Sequence, residues 1–322
     1  MQAKIVRDTV AHEIAHHWFG NLVTPVWWDD IWLNEAFAEW AGIRIAHAWR
    51  PDLGTRASLT IAALEAMNVD SQSAGRPMHE PVDDNTHIGS TFDSITYNKG
   101  AGVLAMFESY MGVEVFRRGV QQHLRAHPHG SADAQDFFRA LAQAANQPVV
   151  VDAFRSFVDQ PGVPLVAVRA TPDGRRLELS QSRYRPVGST IAPGALWTIP
   201  FCATLLGDAE PQKICTLMSG AKATLDLPEG VKPAAIMPNA AGAGYYRYSL
   251  EPAAVGALLA RAMTLSEGEG LALADSLVAS YKSGDLTLDQ LLDAARALSG
   301  HPVRQVATQL GIDLADLGNR IL

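Results

Sequence analysis

Five residues near the start of this 322-residue chain constrain it more than any others: His12-Glu13-Ile14-Ala15-His16. Residues four apart lie on one face of an α-helix. A helix here therefore offers both imidazoles to a single ion, about 2.0–2.1 Å from each nitrogen if that ion is zinc. Glu13 projects to the side, within reach of a water that the ion would hold. Two neutral nitrogen ligands, an open position and a base beside it are what metal-assisted amide hydrolysis needs.

Two histidines leave such an ion short of a ligand. Glu35 is the candidate third, with eighteen residues intervening after His16. It sits in Trp32-Leu33-Asn34-Glu35-Ala36-Phe37-Ala38-Glu39-Trp40, which reads as a second helix. Phe19-Gly20 supplies a stop for the first helix, and Pro25 to Asp30 the turn between the two. A His, His, Glu set with one water is a known catalytic zinc arrangement. The five-residue string also arises by chance in unrelated chains; the helix that carries it and the downstream carboxylate supply the context that a chance match lacks.

Hydrophobic residues make up 48% and charged residues 19%, the balance of a soluble globular chain of two or three modules. A net charge of −8 without a basic stripe excludes a nucleic-acid partner. No apolar run is long enough to span a bilayer, and Met1 to Val10 do not form a secretory signal, so the chain as it stands reads as cytoplasmic. Cys202 and Cys215 are too few for a disulfide framework and are read as two half-buried strand cysteines rather than as a pair.

Three textures follow one another. Residues 1–162 carry helical periodicity. Residues 163–250 break into short β-prone runs, Leu165–Val168, Arg176–Gln181, Trp197–Leu206 and Lys213–Met218, separated by Pro and Gly, as in a small β-sandwich. Residues 251–322 are helical again. Ser266 with Glu269 forms a capping-box signature, Gly284 ends that helix, and the next runs from Thr287 and Leu288 to Leu298, stopped by Ser299-Gly300.

Val10-Ala11-His12-Glu13-Ile14-Ala15-His16-His17-Trp18-Phe19-Gly20-Asn21-Leu22-Val23-Thr24-Pro25, then Trp28-Asp29-Asp30 and Trp32-Leu33-Asn34-Glu35, resembles the gluzincin zinc aminopeptidases of the alanyl aminopeptidase group, which includes the puromycin-sensitive aminopeptidases and leukotriene hydrolase. Ile95-Thr96-Tyr97-Asn98-Lys99-Gly100-Ala101 is similar to that family's tyrosine motif. Weaker echoes follow at Gln160-Pro161-Gly162-Val163-Pro164 and at Pro238-Asn239 with Gly244-Tyr245-Tyr246-Arg247.

The resemblance implies a multidomain α+β chain. Its parts would be a thermolysin-like, mainly helical catalytic domain over 1–162, a β-sandwich over 163–250 and the start of a helical C-terminal domain over 251–322. It implies one Zn2+ per chain on His12, His16 and Glu35, with Glu13 as general base and Tyr97 donating its hydroxyl to the oxyanion. The substrates would be peptides that lose their N-terminal residue.

Family members recognise the free amino terminus through a Gly-x-Met-Glu-Asn motif a few tens of residues before the zinc helix. No such motif precedes His12 here. The expectation is a chain truncated at both ends, with exposed apolar surface beside the zinc helix. The alternative to a working aminopeptidase is a remnant that binds zinc but has little or no activity.

Other candidates carry two readings each. Glu39, one turn after Glu35, either orients a ligand histidine or is a solvated glutamate. Lys99 is an exposed helix residue or helps to place Tyr97. His17 points about 100° away from His16 and is read as a non-ligand. Trp18, Trp27, Trp28, Trp32 and Trp40 are read mostly as core, and His127-Pro128-His129-Gly130 as a solvated loop.

Overall fold

The motif segment is helical in the computed structural model of the chain, which describes residues 2–321 apart from Gly54, Arg56 and Ala74. The described residues divide into two compact units that meet at Gly162 and Val163.

In the first unit, α1 spans Gln2–Ala15, β1 Val23–Pro25, α2 Ile31–Trp49 and α3 Ser58–Asp70. A π-helical turn over Ile95–Lys99 runs directly into α4, Gly100–Met111. Then come α5 (Val113–Ala126), β2 (Gly130–Ala132), α6 (Ala134–Ala145) and α7 (Val150–Val158). The apolar residues of α2 run round the whole helix rather than forming one stripe, as expected of a helix with neighbours on all sides. Trp32, Ala36, Ala38 and Ala46 are almost wholly buried on it. Helix α6 starts at a capping box, Asp133 accepting from Asp136 N while the Asp136 side chain caps the Asp133 N–H. Phe107, Phe137, Phe138, Phe154 and Phe157 lie fully buried among these helices, each contributing roughly 1.5–3 kcal/mol by leaving water.

Three sequence expectations change here. Helix α1 ends at Ala15, short of the Phe19-Gly20 stop; His16 keeps a helical bond, its N–H donating to His12 O at 3.3 Å. Pro25, expected in a turn, closes β1, which pairs in parallel with β2 through Val23↔Gly130, Thr24↔Ser131 and Pro25↔Ala132. Of the five tryptophans, Trp32 and Trp40 are core, but Trp18 is 46% and Trp27 53% exposed. The Trp27 indole is satisfied where it stands, donating to Val82 O at 2.8 Å. Val10 and Ile14, one turn apart on α1, are also exposed.

The second unit opens with seven strands: β3 (Pro164–Ala170), β4 (Arg176–Arg183), β5 (Ile199–Leu206), β6 (Gln212–Met218), β7 (Lys222–Asp226), β8 (Ala235–Met237) and β9 (Arg247–Leu250). They form two sheets, ordered β7-β4-β3-β9 and β6-β5-β8. Leu177, Leu179 and Gln181 of β4 face inward while Arg176, Glu178 and Ser180 face water, the period-two pattern of a sheet with one wet face. Strand β5 is buried along its full length.

Four helices follow, α8 (Pro252–Leu259), α9 (Glu267–Ser283), α10 (Leu288–Ser299) and α11 (Arg304–Ile321). The Ser266/Glu269 capping box is present, and Gly284 closes α9 in the left-handed region at φ 85°.

Cys202 and Cys215 correct the reading of two unpaired cysteines: they form a disulfide. The cause is register. Strands β5 and β6 are antiparallel, and Cys202 stands directly opposite Cys215, a relationship that residue spacing alone does not disclose.

Candidate metal centre

Helices α1 and α2 approach unusually closely, and a glycine permits it. A Cβ on Gly42 would come within 2.9 Å of His12 N and 3.0 Å of His12 Cα. A second close approach sets the third wall: Gly100, at the start of α4, lies against Ala36 of α2 with no room for a Cβ. Small residues on α2 thus bring the first histidine and the π-helical turn carrying Tyr97 to one place.

His12, His16 and Glu35 converge there, and their ligand atoms all lie within 4.8 Å of one another. His16 Nε2 is 3.1 Å from His12 Nε2. A Glu35 oxygen is 3.3 Å from His12 Nε2 and 3.5 Å from His16 Nε2. Each imidazole has an acceptor at its other nitrogen: Glu39 Oε2 lies 3.2 Å from His12 Nδ1, and Phe19 O lies 3.0 Å from His16 Nδ1. Those acceptors select the Nδ1–H tautomers and turn both Nε2 lone pairs toward the same point. A tetrahedral centre with bonds of about 2.0–2.2 Å separates its ligand atoms by roughly 3.3–3.5 Å. The observed separations of 3.1, 3.3 and 3.5 Å lie within a few tenths of an ångström of that edge length, so the donor set fits a small divalent ion.

The electrostatics agree. Left to protons alone, the carboxylates draw positive charge onto the rings. Burial would lower the His12 pKa, but hydrogen bonds to Glu35 and Glu39 overcome it and raise it to about 9. The hydrogen bond to Glu35 also raises His16, against the opposing effect of burial. Burial would raise Glu35; its bonds to the two histidines outweigh that and hold it at about 2.

The other sequence-assigned residues surround it. Glu13 is exposed on α1. The Tyr97 ring stacks on His12 at 5.9 Å between centroids, which places its hydroxyl within the field of the Glu35 carboxylate. Burial, then the Glu35 charge, with smaller contributions from Glu13 and Glu39, push the Tyr97 pKa far above its usual value, so the hydroxyl stays protonated. Glu39 takes the first of its two readings, holding His12. His17 lies outside the cluster and exposed.

Lys99 is no surface residue. It is fully buried and paired at 2.9 Å with the equally buried Asp70 of α3, and it donates to Gln160 O at 3.2 Å. Asp70, Arg76 and Asp93 all act around Tyr97 without having been singled out from sequence. Arg76 reaches Thr91, Asp93 and Thr96, 15 to 20 residues on, and Asp70 reaches Lys99 and, 92 residues away, Gly162, pairings that no local pattern marks.

The chain's first half matches the peptidase family M1 domain over residues 1–159. It is 34% identical over 250 residues to probable aminopeptidase 1 of Saccharolobus solfataricus, covering 75% of this chain and 30% of that protein. Probable M1 family aminopeptidase 2 of Encephalitozoon cuniculi is 32% identical over 270 residues, 82% of this chain and 29% of its own length. Tricorn protease-interacting factor F2 of Thermoplasma acidophilum is 31% identical over 309 residues, 94% of this chain and 37% of its own. The chain thus spans about a third of the length of these curated relatives. Sequence match and donor geometry lead to one assignment: the chain belongs to peptidase family M1.

Proposed function

We propose that this chain is the catalytic portion of a zinc aminopeptidase, which removes the N-terminal residue of a peptide by hydrolysis. The observation that carries the reading is the meeting of the His12 and His16 Nε2 atoms and a Glu35 oxygen at ligand-edge distances. His12, His16 and Glu35 would hold one Zn2+. When bound, the ion supplies Lewis acidity and lowers the pKa of a coordinated water.

The chain's own groups do the rest. Glu13 takes a proton from the attacking water and delivers it to the leaving amine. The Tyr97 hydroxyl, kept protonated by burial and by the surrounding carboxylates, donates to the oxyanion that develops on the scissile carbonyl. Glu39 fixes the His12 ring through Nδ1. Among the described residues no helix is long and apolar enough to cross a membrane.

Within the same reading, residues 1–162 form a thermolysin-like catalytic domain, 163–250 a β-sandwich and 251–322 the beginning of a helical domain. The two sheets of the β-rich stretch and the return to helix at Pro252 support that division.

The test is metal analysis together with hydrolysis of an aminoacyl fluorogenic amide. One zinc per chain and metal-dependent hydrolysis are expected. Glu13→Ala should keep its zinc and lose roughly 10²-fold or more in rate. Zinc without hydrolysis would favour the alternative of a metal-binding remnant. Loss of zinc in Glu13→Ala would make Glu13 a structural residue.

A further inference from the structure

Tyr97 rides on a π-helical turn, Ile95–Lys99, a rare geometry that recurs as single turns at functional sites. Such a turn needs outside support, and the structure provides it on both sides. Asp93 braces the upstream end. Its Oδ1 accepts from Ile95 N at 2.9 Å and Thr96 N at 3.1 Å, and its carbonyl accepts from Tyr97 N at 3.1 Å. The Lys99–Asp70 pair anchors the downstream end, with Asp70 Oδ1 also accepting from Gly162 N at 2.7 Å.

Arg76, in the loop after α3, grips the upstream brace. Its guanidinium meets the Asp93 carboxylate edge to edge, Nε to Oδ2 at 3.0 Å and Nη2 to Oδ1 at 2.7 Å. Nη2 also donates to Thr96 Oγ1 at 2.9 Å and Thr91 O at 3.2 Å, and Nη1 donates to Pro77 O at 2.9 Å. Thr96 in turn bonds the Thr91 carbonyl. One side chain therefore ties four residues around the tyrosine, and it is only 18% exposed. The planar fork is what makes this possible; a lysine ammonium can supply the charge but not the two parallel bonds.

We propose that Arg76 is a positioning residue for Tyr97: its fork on Asp93 and its bond to Thr96 hold the π-helical turn so that the tyrosine ring stays stacked on His12. The proposal rests on the oxyanion role assigned to Tyr97 above. Arg76 touches no reacting atom. Its influence passes through Asp93 and Thr96 to the backbone at Ile95–Tyr97.

Two measurements test it. In the first, kcat and KM for the aminoacyl amide are compared in the wild type, Arg76→Lys, Arg76→Ala, Tyr97→Phe and the double variants. Arg76→Lys and Arg76→Ala should lower kcat by roughly 10²-fold, the cost of an ångström-scale misplacement, with KM and zinc content near wild type. In the Tyr97→Phe background the same substitutions should cost almost nothing further. In the second, the chain is labelled with 3-fluorotyrosine and its 19F spectrum recorded without metal. The Tyr97 line, assigned by its loss in Tyr97→Phe, should shift or split in the Arg76 variants.

Losses that multiply in the Tyr97→Phe background, or an unmoved Tyr97 line, overturn the proposal. If Arg76→Ala does not fold, Arg76→Lys and Asp93→Asn, which keep most of the side-chain volume, decide by the same two readouts. A wild type with no hydrolysis would refute the aminopeptidase reading, while the metal-free fluorine line would still judge the clamp.

Discussion

Gly42 and His12 touch through their backbones: a Cβ at position 42 would fall 2.9 Å from His12 N and 3.2 Å from Ala11 C. The obstructing atoms belong to the main chain of α1, so no rotamer change can relieve the clash. Alanine in the middle of α2 would gain up to about 1 kcal/mol in helix propensity. The overpacking it causes costs about 1–3 kcal/mol. The clash wins, and its relief must move His12. Gly42→Ala is expected to lower thermal stability and to weaken metal retention together. Unfolding scans and zinc analysis after dialysis against a chelator measure both, and a variant that keeps wild-type zinc would show that α1 shifts without carrying His12 away.

Glu39 bears on the same histidine from another direction. Its Oε2 lies 3.2 Å from His12 Nδ1. Partners of this kind orient the ring and raise its basicity, and losing one typically costs 10–100-fold in metal affinity. Glu39→Ala should weaken zinc binding by about that factor in a chelator competition. Glu39→Gln, which keeps an acceptor oxygen but not the charge, should fall between. Wild-type affinity in both would return Glu39 to the status of a solvated glutamate.

These residues show what a sequence discloses and what it hides. The His12/His16 pair, Glu35, the Ser266/Glu269 box and the Gly284 stop are local patterns, because helix geometry alone relates residues three and four apart. The four β-prone runs were legible from their period and their Pro and Gly boundaries. Strand β1 was not. It is three residues long, contains Pro25, and exists because Gly130–Ala132 lies beside it. The two readings of Lys99, exposed helix residue or support for Tyr97, could not be separated in the sequence because its partner, Asp70, belongs to another helix. The Cys202–Cys215 bond and the Arg76–Asp93 fork depend likewise on register and loop path, which are set only when the chain has folded.

The disulfide makes its own prediction. It closes a loop with a sequence separation of 13, and a bridge of that span restricts the unfolded chain by about 3 kcal/mol in the chain-entropy treatment. Paired Cys202→Ala and Cys215→Ala substitutions should lower the stability of the second unit by that order and leave the metal centre unchanged. Hydrogen exchange resolved by segment would test this; increased exchange confined to residues 2–162 would contradict it.

His123 predicts the acid limb of the first unit's stability. It lies on α5, 2% exposed, with the rings of Phe19 and Phe137 at 5.4 and 5.3 Å and that of His127 at 5.4 Å. Burial, helped by the His127 charge and opposed by Asp136 and Asp133, lowers its pKa from 6.5 to about 4. The unfolded chain takes up this proton near 6.5, whereas the native chain refuses it until about 4. Between those values the unfolded state binds more protons, so stability must fall as the pH drops through that window. The stabilisation is fully present above the unfolded value and lost below it, levelling off once the native ring also protonates. A shift of that size corresponds to about 3 kcal/mol. His123→Phe removes the titration while keeping an aromatic ring in the pocket, and every other acid-titrating group stays in place. The difference between the two proteins in urea unfolding, followed from pH 7 to pH 4, should therefore trace this one group, the wild type losing about 3 kcal/mol more than the variant. Parallel profiles would mean that His123 is protonated in the native state, with an acid partner that its aromatic surroundings do not reveal.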